Sequence, residues 1–381
     1  MKRLWVSGAP IQRRHALLLA AAGITGCGGG GGGSATNFGG LPGTGGTGIY
    51  AAGPITGFGS VILKGIKFDD TDASIKLDGQ TVTSAALGLG MIASVAGEQI
   101  AGQPTLATAS SIEVWSIAQG RVTQAASAGA FTLAGMSIQT DPSTMYFDLS
   151  GASDLTERRA VKVWGLQTGN GWTATRIEAT TGPVITASTG EVVQLRGEDG
   201  LYVNGLRIRG ASLTLGNWVR VQGVLSQDGE ELQVSRTDLL QGDGTTAVGS
   251  GLLEIEGYVT SLSNGQFQLG QWRVDVSDMQ DPPTGIAVGD HLEISGNYAN
   301  GVLRAQTVLL DDDTGSKEVE IEARVESYTS RSDFMLRGQR CNADNAAIAH
   351  GVSLPLRVGA KVKVVGRIVG EFVVVSQLEL A

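Results

Sequence analysis

The chain has 381 residues, of which 57 are glycine, with 28 Lys and Arg against 37 Asp and Glu and a net charge of −9. Ordinary domains hold roughly 100–200 residues, so one domain does not account for this length. The acidic balance disfavours a nucleic-acid partner, which needs a basic footprint for its phosphates, but is compatible with calcium or a basic protein surface.

The first element is a targeting segment over residues 1–26. Lys2, Arg3, Arg13 and Arg14 form a positive start without an acidic residue, and the apolar run Ala16–Ile24 follows. That run is shorter than the roughly 20 apolar residues a spanning helix needs. Ile24-Thr25-Gly26-Cys27 then resembles the lipobox of bacterial lipoproteins, where small residues precede an obligatory cysteine. The resemblance implies cleavage before Cys27, a lipid on its thiol and attachment to membrane through that lipid. An ordinary secretory signal with a chance cysteine is the alternative. Arg13-Arg14 resembles a twin-arginine export signal, although Gln12 and His15-Ala16-Leu17 match its flanks only in part. Gly28–Gly33 read as the start of a tether over 27–51. Position 28 is Gly and not Asp, which in this family of signals permits sorting to the outer membrane, the expected location, facing periplasm or surface. Without the targeting segment, 24 basic residues face 37 acidic ones, a net charge of about −13.

Beyond the tether, three short patterns recur in fixed order. The first ends in an alternating apolar run closed by glycine: Ala93/Val95/Gly97, Val161/Val163/Gly165, Val219/Val221/Gly223, Leu292/Ile294/Gly296 and Val362/Val364/Gly366. A glycine stands three residues before each run, except that one copy has Arg158. Before this comes Val61/Leu63/Gly65/Phe68, repeated as Phe131/Leu133/Gly135/Ile138, Leu201/Val203/Gly205/Ile208 and Phe334/Leu336/Gly338/Cys341, with Gln271 replacing the glycine in Phe267/Leu269/Val274. A closing pair, such as Ala109/Ile112 or Ala174/Ile177, ends each copy. A G-x-V opening is clear at Gly120, Gly190 and Gly257, with Ala323 in the last copy. Period-two alternation predicts half-buried strands, and the flanking glycines predict turns at positive φ.

These patterns divide the chain into five repeats: 52–115, 116–182, 183–240, 251–310 and 318–381, with polar joins at 241–250 and 311–317. The predicted fold class is all-β, as five tandem five-stranded, OB-like barrels with a short helical stretch such as Asn345–Ala349. A five-bladed propeller is the alternative, although blades are usually nearer 45 residues. The ordered patterns resemble the bacterial domain of unknown function 5666. That resemblance implies export, often with lipidation, and no established activity.

Little chemistry is legible. Cys341 occupies the slot of Phe68, Ile138, Ile208 and Val274, which predicts a core residue. His291 and His350, isolated in sequence, read as surface residues, and no metal or cofactor is expected. Asp69-Asp70-Thr71-Asp72 and Asp311-Asp312-Asp313 read as solvated turn and linker, since neither has an EF-hand layout. Trp164 alternates with Val161 and Val163 and so points away from its own barrel. With Trp172 it reads first as a contact between repeats, and second as a candidate ligand contact for a sugar ring. The functional expectation is a membrane-anchored, non-enzymatic binding or scaffold module of the cell envelope with a protein or glycan partner. A periplasmic small-ligand binder and a hydrolase assembled across repeats are the alternatives, and no catalytic residue is assigned.

Overall fold

A computed structural model describes residues 48–240, 251–263, 265–311 and 318–381. Cys27, Arg13, Arg14 and most of the two polar joins lie outside the described residues. The described chain forms five small closed barrels, one per repeat. Barrel 2 sets the pattern, with strands Ala118–Ser127, Ala130–Leu133, Met136–Gln139, Ala160–Thr168 and Gly171–Ala179. The first strand pairs with the second and the second with the third. The third runs parallel to the fifth, the fifth pairs with the fourth, and the fourth returns to the first. Barrel 1, from Gly48 to Val114, closes by the same circuit. So do barrel 3, from Thr186 to Leu240, barrel 4, from Gly251 to Leu310, and barrel 5, from Glu318 to Leu380. The expected barrels are thus present. A propeller is not, because each sheet closes on itself. Closure pairs most strand edges inside a unit, and the first strands keep edge groups that pair with other barrels.

Two local devices make the circuit. The second and third strands of each barrel join through two-residue turns. In four barrels both turn residues have positive φ, as in Lys64-Gly65, Ala134-Gly135, Asn204-Gly205 and Arg337-Gly338. This is the type I′ turn, whose twist suits a tight hairpin. In barrel 4 the turn is Gly270-Gln271, and of these two Gly270 alone has positive φ. A glycine at the first position suits the type II′ turn, so the departure at Gln271 changes the turn type and preserves the hairpin.

The second device corrects an expectation. The glycines that precede each alternating run, such as Gly90, Gly216, Gly289 and Gly359, do have positive φ, and Arg158 adopts it at 66° in their place. The glycines that end the runs do not. Gly97, Gly165, Gly223, Gly296 and Gly366 each sit at a register shift between the fourth and fifth strands. A Cβ there would fall well under 3.0 Å from the facing carbonyl oxygen, of Thr108, Thr173, Gln233, Arg304 and Val374 respectively. The requirement is therefore close backbone approach at a β-bulge, which bends the long strands into a barrel.

The alternating apolar residues line the barrel interiors as expected. Cys341 is fully buried, and burial pushes its thiol up to about 12. The helical expectation at Asn345–Ala349 fails. Ala347–Ile348 is extended and runs parallel to Gln377–Leu378, because that strand offers backbone partners. Single 3₁₀ turns occupy the equivalent region of barrels 1 and 2, at Ser84–Ala86 and Ala152–Asp154.

The barrels also join one another. Ile49–Ala52 of barrel 1 pairs in parallel with Leu252–Ile255 of barrel 4. Gly57–Phe58 pairs in parallel with Glu320–Ile321 of barrel 5. Ala118–Gln119 of barrel 2 pairs with Ala187–Ser188 of barrel 3. One apolar cluster runs through barrels 1 and 5, and another through barrels 2 and 3.

Gly223→Ala is expected to cost about 1–3 kcal/mol, the usual range for overpacking, read as a lowered denaturation midpoint. Cys341→Val should cost less than about 1.5 kcal/mol, because volume and polarity are nearly kept. A loss of several kcal/mol in the same measurement would contradict a purely apolar role for that slot.

Candidate functional site

The side chains with chemical potential lie mostly where barrels meet. Trp164 leaves barrel 2 outward, as its parity requires, but is 0% exposed because it joins the apolar cluster of barrels 1 and 5. Trp172 is 8% exposed, belongs to the shared core of barrels 2 and 3, and meets Trp218 edge-on at 6.3 Å. The two therefore do not form an outward pair for a sugar ring, and the ligand-contact expectation is corrected. Burying a tryptophan removes about 150–250 Å², an upper estimate of roughly 4–6 kcal/mol. The Trp164 Nε1–H has no hydrogen-bond partner, which costs about 1–3 kcal/mol, so apolar burial dominates at this position.

Asp78 organises the junction of barrels 1, 2 and 3. It sits in the turn after Ser74–Leu77 with φ 49° and projects toward Ser116, the connection to barrel 2. Its carboxylate accepts the Ser116 N–H at 2.8 Å and the Ser116 hydroxyl at 3.0 Å. Lys162 of barrel 2 lies 2.6 Å away, and Arg220 of barrel 3 lies 3.3 Å away with 2% of its side chain exposed. Arg220 also donates to the Ser116 hydroxyl at 3.2 Å. One carboxylate thus balances cations from two other barrels.

A cleft of about 450 Å³ opens between barrels 1, 2 and 5. Its arginines are already engaged. Arg176 donates to Glu178 at 2.6 Å and to the Leu89 carbonyl at 3.0 Å, and lies 4.7 Å over the Phe147 ring. Arg337 donates to the Ser84 carbonyl and lies 3.9 Å over Phe58. Glu326, also on the cleft, accepts the Gly338 N–H at 2.8 Å. These groups hold three barrels to one another.

The seam of barrels 1 and 4 gathers Glu256, His291 and Asp311, with one ligand-type atom from each lying within 4.8 Å of the others. His291 is not a surface residue: 13% of its side chain is exposed, and its ring stacks on Tyr258 at 4.4 Å. The three lie far apart in sequence, so their meeting was not legible. Their chemistry is that of N/O metal ligands. His350 is exposed, as expected. In the first acidic cluster, Asp69 accepts the Thr71 hydroxyl at 2.6 Å and the Thr71 N–H at 3.1 Å, which lowers its pKa in an exposed turn.

Residues 119–178 and 256–309 match the family model described as a domain of unknown function (DUF5666). The matched residues fall in barrels 2 and 4. The other three barrels repeat their circuit. No curated protein matches the chain. Among solved structures, the chain is similar to Drosophila Unr CSD456 at 13% identity, over 53% of this chain and 99% of that one, with a TM-score of 0.15.

The junction makes a direct prediction. Asp78→Ala strands a buried arginine and should cost about 3–5 kcal/mol in chemical denaturation. Adding Arg220→Met should recover a substantial part of that loss, because an apolar side chain no longer needs a counter-charge. Additive losses in the double variant would refute the coupling.

Proposed function

We propose that this chain is a lipid-anchored, non-enzymatic module of the bacterial cell envelope, holding a rigid block of DUF5666-type barrels at a membrane surface as a scaffold for an envelope partner. The observation that carries this reading is the use of the charged and aromatic side chains. Asp78, Lys162, Arg220, Trp164, Arg176 and Arg337 are engaged between barrels. A protein whose distinctive side chains fix the relative position of its own domains is suited to presenting a surface of constant shape. The hydrolase alternative needs carboxylates converging in a cleft and placed to act on substrate. In the cleft, Glu178 is paired with Arg176 and Glu326 caps a hairpin turn, so we assign no reaction. Anchoring rests on Cys27 with the small residues before it and the glycine run after it. Membrane attachment by one acyl chain is weak and reversible, whereas two chains on one cysteine give stable attachment.

Cys27→Ala should move the protein from the membrane fraction to the soluble extract, followed by immunoblot after fractionation. A variant that stays with the membranes would refute the lipid anchor. Release with an unchanged denaturation midpoint would separate anchoring from folding.

A further inference from the structure

Barrel 4 presents an unusual face to barrel 1. Glu256 and Glu293 stand directly opposite each other on paired strands, and like charges in that relation are destabilising. Glu254 lies two residues before Glu256 on the same strand. Asp311 continues the last strand of barrel 4 and donates its backbone N–H to the His291 carbonyl at 2.8 Å. Against these four carboxylates stands Lys64 of barrel 1, 3.0 Å from Glu293 Oε2 and 3.9 Å from Glu256 Oε2.

The other oxygen of Glu256 faces the imidazole. Oε1 lies 3.2 Å from His291 Nε2, and Asp311 Oδ2 lies 3.4 Å from Nδ1. Nε2 is buried and makes no hydrogen bond. Two ligands of a tetrahedral zinc, each about 2.0–2.1 Å from the metal, stand roughly 3.4 Å apart. The Nε2–Oε1 separation is therefore close to a ligand–ligand edge, and one ligand atom of Asp311 lies within 4.8 Å of one from each of the other two. Stacking on Tyr258 holds the ring in this plane.

We propose that Glu256, His291 and Asp311 bind a divalent cation of the Zn²⁺ class at the seam of barrels 1 and 4. The cation takes one imidazole nitrogen and one oxygen from each carboxylate, with solvent completing its shell. It ties Asp311, at the end of the last strand of barrel 4, to Glu256 and His291 beside barrel 1.

The test uses the purified full-length chain, without an affinity tag and stripped of metal, titrated with Zn²⁺ alone by calorimetry and by thermal shift. One saturable equivalent and a raised Tm are expected. His291→Ala and Glu256→Gln should each weaken binding at least tenfold, whereas His15→Ala and His350→Ala leave it unchanged. Circular dichroism checks that each variant is folded. Asp311→Asn, which keeps the shape of the side chain, serves if His291→Ala does not fold, and it too should weaken binding at least tenfold. Absence of saturable binding by the parent chain overturns the proposal. So does full-affinity binding by folded His291→Ala or by Asp311→Asn, or equal loss in His350→Ala.

Discussion

The first strand of barrel 1 is asked to do three jobs, and the rest of the assembly depends on it. Within its own barrel, Gly48–Pro54 pairs with Ile92–Ile100, and its continuation Gly57–Phe58 reaches Val61–Leu63. Outside the barrel, its beginning accepts a parallel strand from barrel 4 and its end accepts one from barrel 5. A unit of about 60 residues buries only about 60% of its unfolded surface and is marginal alone. Sharing backbone pairing and apolar surface among barrels answers that deficit. Barrels 1 and 5, distant in the chain, share one core cluster, while barrel 4 keeps its own and borrows Ala52 from barrel 1. Proximity in sequence therefore does not govern which barrels meet.

The barrel itself was largely legible. Period-two alternation places Val161 and Val163, or Leu292 and Ile294, inside, and all four are buried. The fixed order of motifs supplies the strand order, and two-residue hairpins follow from their glycines. What could not be read was the reason for the glycine that ends each alternating run. Positive φ and close approach of a facing carbonyl both demand glycine. Distinguishing them requires knowing that the fourth and fifth strands pair with a register shift, which depends on residues well along the chain. Gln271 shows the converse case. The motif glycine is missing from its usual place, yet Gly270 one residue earlier restores a tight turn of another type.

The contacts between barrels follow a rule that repeat alignment exposes only in part. The residue between the two buried positions of each alternating run points out of its barrel. That slot holds Ser94, Lys162, Arg220, Glu293 and Lys363. Lys162 and Arg220 meet Asp78 of barrel 1, and Glu293 meets Lys64 of barrel 1. The first residue of the hairpin turn behaves similarly. Lys64 reaches barrel 4, and Arg337 reaches Ser84 of barrel 1. Parity tells that these side chains leave their barrels, as it did for Trp164. It does not tell what each will meet, because that depends on packing among barrels.

This division of labour bears on how one barrel type can build different proteins. The repeated positions are apolar or glycine and serve closure, so they are nearly interchangeable between units. The outward slots differ from unit to unit, and their charges are matched in three dimensions: one aspartate against a lysine and an arginine at the first junction, one lysine against glutamates at the seam with barrel 4. A buried charge left without its partner is costly, whereas a matched pair is close to neutral against an apolar equivalent. Such pairs therefore add little to net stability but strongly penalise a wrong neighbour. By this argument, the ionic junctions around Asp78 and Lys64 select one arrangement of five similar barrels, while the apolar clusters supply the free energy that holds it.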